Sequence, residues 1–191
     1  MIIRSILLLM IVAVLAGCAS TAPPGNPHNL CSIFKEKPSW YEAAKKSQER
    51  WGTPTQVMMA IMYQESSFQH DARPAWEWFL FIPLGRPTSA YGYAQALDAV
   101  WDEYVEEAGS FFSDRDDFED AIDFIGWYNH KSRRLNKVSL WRADLLYLNY
   151  HEGWGGYRRG SWKSKAWLRK TAAKVAWRAS EYGEQLRRCS I

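Results

Sequence analysis

Glu65 is the side chain in this sequence best placed to move a proton. It follows Ile61 by four residues and Val57 by eight, and with Met58 and Met62 these form an apolar stripe at helical spacing. A carboxyl group that continues such a stripe near the carboxyl end of its helix is partly desolvated. The negative end of the helix dipole also disfavours its ionised form. Both effects raise its pKa toward what a general acid needs near neutral pH. The same position also suits a glutamate that reaches out to water, so the pattern alone leaves both readings open. The four histidines, His28, His70, His130 and His151, do not fall at metal-ligand spacing. Neither a Ser-His-Asp nor a Cys-His arrangement is apparent. No metal and no cofactor are expected.

The elements that must position Glu65 read as helices. Thr53-Pro54-Thr55-Gln56 places a hydroxyl at the N-cap, proline at the first helical position and glutamine at the third. The helix it opens should run from Pro54 to about Ser67. Residues 40–50 form a short amphipathic candidate before it. Leu97, Trp101, Tyr104 and Ala108 mark a later helix, and Phe118, Ala121, Ile122 and Ile125 another, capped by the acids around Asp114 to Asp117. A helix from Ser139 through Trp141, Leu145 and Leu148 should stop at Gly153. The last has Leu168, Ala172, Val175, Ala179, Tyr182 and Leu186 in helical register, with Arg169, Lys170, Lys174 and Arg178 on a solvated face. The fold class is all-α, as one compact domain.

Composition agrees. The chain has 191 residues, 47% hydrophobic and 24% charged, with a formal net charge of +3. That excludes wholesale disorder and a multi-span membrane protein, and it gives no argument for a nucleic-acid partner. Aromatic residues reach 15%, with 11 Trp, which serve either as core filler or as platforms for sugar rings.

The N-terminus reads as an address. Arg4 precedes an uncharged run from Ile6 to Ala16, the pattern of a secretory signal and too short for a comfortable membrane span. Leu15-Ala16-Gly17-Cys18 resembles the lipobox of bacterial lipoproteins. The resemblance implies cleavage after residue 17, lipid on Cys18, and, with Ala19 following, an outer-membrane lipoprotein facing the periplasm. Residues 18–30 read as a lipidated start and flexible tether, and 31–191 as the folded domain. Export places Cys31 and Cys189 in an oxidising compartment, where they are expected to pair.

Three short motifs carry a resemblance. Glu65-Ser66-Ser67-Phe68 resembles the Glu-Ser-x-Phe of the soluble-lytic-transglycosylase (SLT) family, related in fold to goose-type lysozyme. Gly92-Tyr93-Ala94-Gln95 matches the glycine and glutamine of its Gly-Leu-Met-Gln motif. Asn149-Tyr150-His151-Glu152-Gly153 matches the tyrosine and glycine of its Ala-Tyr-Asn-Ala-Gly motif. Tyr128-Asn129 is a rival for the third motif, but no glycine follows it and it lies closer to Gln95. Order and spacing agree over about residues 40 to 160.

The resemblance implies a lysozyme-like, mostly helical domain that cleaves peptidoglycan between N-acetylmuramic acid and N-acetylglucosamine. Glu65 would be the sole acid/base. Ser66 would lie beside it in the cleft, Gly92, Tyr93 and Gln95 would shape the substrate site, and Tyr150 would hydrogen-bond and orient the glutamate. The partners are glycan strands and, through the lipid, a membrane; the protein is expected to be a monomer. Asp71, Glu77 and Glu152 leave room for a lysozyme-type hydrolase with a second carboxylate. A non-catalytic peptidoglycan-binding lipoprotein is the third reading. The aromatic segment 71–89, longer than is usual there, either walls the glycan cleft or packs on the core.

Overall fold

The structure is a computed structural model that describes residues 21–190. The signal segment and Cys18 lie outside the described residues. Seven α-helices and one small hairpin follow in chain order. They are α1 (Leu30–Glu36), α2 (Pro38–Trp51), α3 (Thr55–Ser66), β1 (Glu77–Phe79), β2 (Ile82–Gly85), α4 (Asp98–Glu107), α5 (Phe118–Asn136), α6 (Ala143–Arg159) and α7 (Ala166–Arg187). A 3₁₀ turn, Ser161–Ser164, links the last two helices.

Helix α3 is the axle. Val57, Met58, Met59, Ala60, Ile61 and Met62 are all buried, so the helix is apolar nearly all round rather than along one stripe. It packs against α2, α5, α6 and α7. Its start differs from the expected capping box. Pro54 is the N-cap and makes no side-chain cap bond, and the buried Thr53 hydroxyl has no hydrogen-bond partner. The orphan amide of Thr55 is met from another helix, by Gln48 Oε1 at 2.7 Å.

The acidic start of α5 behaves as its composition indicates: Asp117 accepts from the Asp120 amide at 3.1 Å. That helix is longer than its apolar pattern suggests and carries Tyr128 in its interior. Helix α6 consists of two runs. The first helical run does stop at Gly153 as expected, where the backbone leaves helical geometry (φ 69°, ψ 160°), and a second run follows at once to Arg159. On α7, Leu168, Ala172, Val175, Ala179 and Tyr182 face inward as their spacing predicts, while Arg169, Lys170 and Lys174 are exposed. Arg178 instead lies 3.6 Å from the Tyr63 ring centroid.

Much of the stretch expected as a tether is fixed to the domain. The Leu30 amide donates to Gln185 at 2.7 Å, Gln185 donates to the His28 carbonyl at 3.1 Å, and the Tyr182 hydroxyl donates to the Pro27 carbonyl. Leu30, Ile33 and Phe34 of α1 are fully buried.

The tryptophans divide between the two expected roles. Trp40, Trp101 and Trp127 are buried in the core, and Trp76, Trp78, Trp141, Trp167 and Trp177 are exposed. The segment 71–89 does not pack on the core: the side chains of Trp76, Trp78, Leu80, Phe81, Ile82 and Leu84 are exposed.

Cys31 and Cys189 form a disulfide with Cα atoms 5.7 Å apart, closing a loop of sequence separation 158. The chain-entropy model assigns a loop of this length about 5 kcal/mol. Cys31→Ser with Cys189→Ser should therefore lower the denaturant midpoint markedly, read by circular dichroism. An unchanged midpoint would show that the hydrogen bonds of residues 27–30 to α7 hold the two ends together alone.

Candidate active site

Glu65 sits in the last turn of α3 and is partly buried. The chain leaves this turn abruptly. Ser67 (φ 53°) and Phe68 (φ 64°) both adopt the left-handed conformation, which costs a non-glycine residue about 1–3 kcal/mol. Burial of the Phe68 ring offsets that strain: it is fully enclosed, with ring centroids 5.7 Å from both Trp40 and Tyr63. Phe68 thus pins the exit of α3 and fixes the last turn on which Glu65 stands.

Burial raises the Glu65 carboxyl from its ordinary 4.5 to about 7, opposed by a hydrogen bond from the Tyr147 hydroxyl. Tyr147 is buried on α6. Its own pKa is pushed well up, by burial first and then by Glu65, so it stays a donor at any ordinary pH. The expected partner was Tyr150. Its hydroxyl donates instead to the Ala94 carbonyl at 2.6 Å. Tyr150 remains close enough for the Glu65 charge to raise its pKa, after burial. The two tyrosines are three residues apart on one helix face. That spacing was the available clue to Tyr147, which lies outside the motif. Tyr128 packs its ring 4.9 Å from Tyr150 and donates to the Asn149 carbonyl at 3.0 Å. It supports Tyr150 from behind.

Tyr150 also joins α6 to the tight turn 91–96, where Tyr91 and Ala96 form an isolated antiparallel bridge. Gly92 has φ 76°, and a Cβ there would lie 2.0 Å from the Arg115 carbonyl oxygen, so the position requires glycine. Gln95 donates through Nε2 to the carbonyls of Ala72 (2.8 Å) and Gly92 (2.9 Å). Its amide therefore holds the turn closed. Tyr93 is 2% exposed and meets Trp40 and Phe118 edge-on at 5.6 and 5.7 Å, so its ring is part of the core. Ser66 is buried as well, and its hydroxyl donates to the Met62 carbonyl one turn back at 3.3 Å. Both side chains thus have roles inside the fold.

The other carboxylates are committed or remote in environment. Glu152 is buried. Burial works against its ionisation, but bonds from Lys165 (2.7 Å), Ser161 and His151 (3.1 Å) outweigh it and take the group down to about 2. It fastens α6 to the 3₁₀ turn and the start of α7. Asp71 is 70% exposed beside His70, and Glu77 is exposed on β1. Among the described residues, no cluster of three or more His, Cys, Asp or Glu could hold a metal.

The arrangement presents one shielded carboxyl group, able to carry its proton near neutral pH and oriented by a phenol. A family model described as Transglycosylase SLT domain matches residues 6–189. No curated protein and no solved structure matches the chain.

The raised Glu65 pKa has a stability consequence. Between pH 4.5 and about 7 the folded chain holds this proton more tightly than the unfolded one, so stability falls as pH rises through that window. The shift corresponds to roughly 3 kcal/mol. Glu65→Gln, which cannot ionise, should match the wild type in thermal midpoint at acid pH and exceed it above neutrality. Equal midpoints at both would mean that the carboxyl group is solvated.

Proposed function

The chain belongs to the transglycosylase SLT family, and from that membership and the Glu65 site we propose that it is a lytic transglycosylase of peptidoglycan in which one glutamate does all the proton transfer. Neutral Glu65 protonates the glycosidic oxygen between N-acetylmuramic acid and N-acetylglucosamine as that bond breaks. The 2-acetamido oxygen of the muramic residue attacks the anomeric carbon and stabilises the positive charge there. The Glu65 carboxylate then takes the proton from the 6-hydroxyl of the same sugar. That oxygen bonds to the anomeric carbon, expels the acetamido oxygen and leaves a 1,6-anhydro end with Glu65 reprotonated.

The observation that supports this reading is the burial of Glu65 beside the Tyr147 hydroxyl, which leaves its carboxyl group able to hold a proton near neutral pH. Burial and Tyr147 account for its shift. Tyr147 aims the carboxyl group while acid and favours its carboxylate once the proton is given. By the same reading, Cys18 carries lipid and holds the enzyme at the outer membrane, facing the periplasmic wall.

Chromatography of digested sacculi with mass detection tests the chemistry. Anhydro-muramic ends are expected. Reducing ends would make the enzyme a hydrolase, and intact sacculi a binding protein. Glu65→Gln should cost about 10²–10⁴-fold or more in rate, the range for acid–base catalysis, with folding unchanged. Activity should fall as pH rises above about 7, where Glu65 loses its proton.

Tyr147→Phe should slow turnover and displace this limb to higher pH, because it removes the bond that favours the carboxylate. Tyr150→Phe, which deletes a bond to a backbone carbonyl, should leave the limb where it is. The reverse outcome would return the orienting role to Tyr150.

A further inference from the structure

We propose that the β1–β2 hairpin inserts into the surface of an anionic lipid bilayer. From Pro74 to Gly85 the sequence has one polar side chain, Glu77. Phe81 is 93% exposed, Leu80 78%, Leu84 63%, Trp78 61%, Ile82 60% and Trp76 52%. An isolated two-stranded hairpin is marginal in water, and one that exposes these side chains is an interaction surface.

The order of residues along the hairpin identifies the occupant. Phe79 pairs with Ile82 and Trp78 with Pro83, so Leu80 and Phe81 form the tip and the Trp78 level lies behind it. Trp76 and Arg86 stand at the base, with the Arg86 guanidinium 5.5 Å from the Trp76 ring centroid. Arg73 is close by in sequence, over the Tyr91 ring at 4.2 Å. Aliphatic and phenyl groups outermost, tryptophan next and arginine last is the depth order of a membrane interface. A sugar chain fits less well, because residues 79–84 offer no polar side chain to its hydroxyl groups. Exposed Phe111 and Phe112 lack this order, standing in the polar run 110–117 with no tryptophan behind them.

The course of the chain gives a second argument. Thr21 lines a cavity with Trp40, Tyr93 and Asp116. Asp116 accepts from the Tyr91 hydroxyl at 2.7 Å, and Tyr91 carries Arg73 on its ring. Cys18, the expected lipid site, stands three residues before Thr21, so lipid carried there would be tethered within about 10 Å of it. A lipid so tethered and the hairpin would meet one membrane surface. The inference stands apart from the glycan chemistry.

The test uses the full chain on phosphatidylethanolamine–phosphatidylglycerol vesicles containing lipid brominated near the headgroup. Tryptophan quenching is expected, stronger than on zwitterionic vesicles. Trp76→Phe with Trp78→Phe should remove most of it. Phe81→Asp with Leu84→Asp should reduce it roughly threefold, because charge at that depth is expelled. Circular dichroism and cleavage of soluble glycan fragments check that this variant is folded and active. Equal quenching in the wild type and the Asp variant overturns the proposal. So does loss of sacculus binding with vesicle quenching unchanged, which assigns the hairpin to glycan. A lipid-free dimer that the Asp variant abolishes assigns it to a second copy.

Discussion

A carboxyl group that must hold a proton near neutral pH has to be kept from water, and most of this fold follows from doing so at Glu65. Helix α3 runs among four other helices and is apolar on nearly every side. Its last turn therefore emerges from the core with Glu65 partly covered. The carbonyl ends of the same turn disfavour a negative charge. Tyr147 supplies the one counterweight, a donor that keeps the carboxyl group oriented in both protonation states.

Holding that turn in place falls to aromatic packing. Trp40 stacks on Phe118 with centroids 3.9 Å apart, and Phe68 and Tyr93 close on the same indole. This cluster joins α2, the exit of α3, the 91–96 turn and the start of α5. A second cluster backs the tyrosine side of the site. Tyr128 stacks on Trp154 at 4.5 Å and meets Tyr150 edge-on. Rings suit this task because they bury large areas with few rotatable bonds. The richness in tryptophan is thus partly a means of rigidity around one acid.

Several motif residues near Glu65 hold backbone in place. Gly92 admits the Arg115 carbonyl where any side chain would collide, and Gln95 closes the turn with two bonds from one amide nitrogen. Ser66 and Tyr93 are turned inward. A short motif constrains a local conformation as strongly as it constrains a contact with substrate, and here the conformational demand accounts for four of its positions.

Periodicity alone located the helices from α2 onward, their inward faces and the place of Glu65, because burial of an apolar stripe repeats with the helical turn and needs no knowledge of neighbours, while the short α1 went unread. The acids opening α5 were legible for the same local reason. Features that depend on a second element were not. Gln48 took over the cap expected of Thr53, since a side chain from α2 reached the Thr55 amide first. Residues 27–30 look like linker by composition, yet α7 supplies their hydrogen bonds. The choice of Tyr147 over Tyr150 rests on how α6 is rotated against α3 and the 91–96 turn. Both tyrosines lie on the same face, and only packing decides which hydroxyl meets a carboxyl group and which a backbone carbonyl.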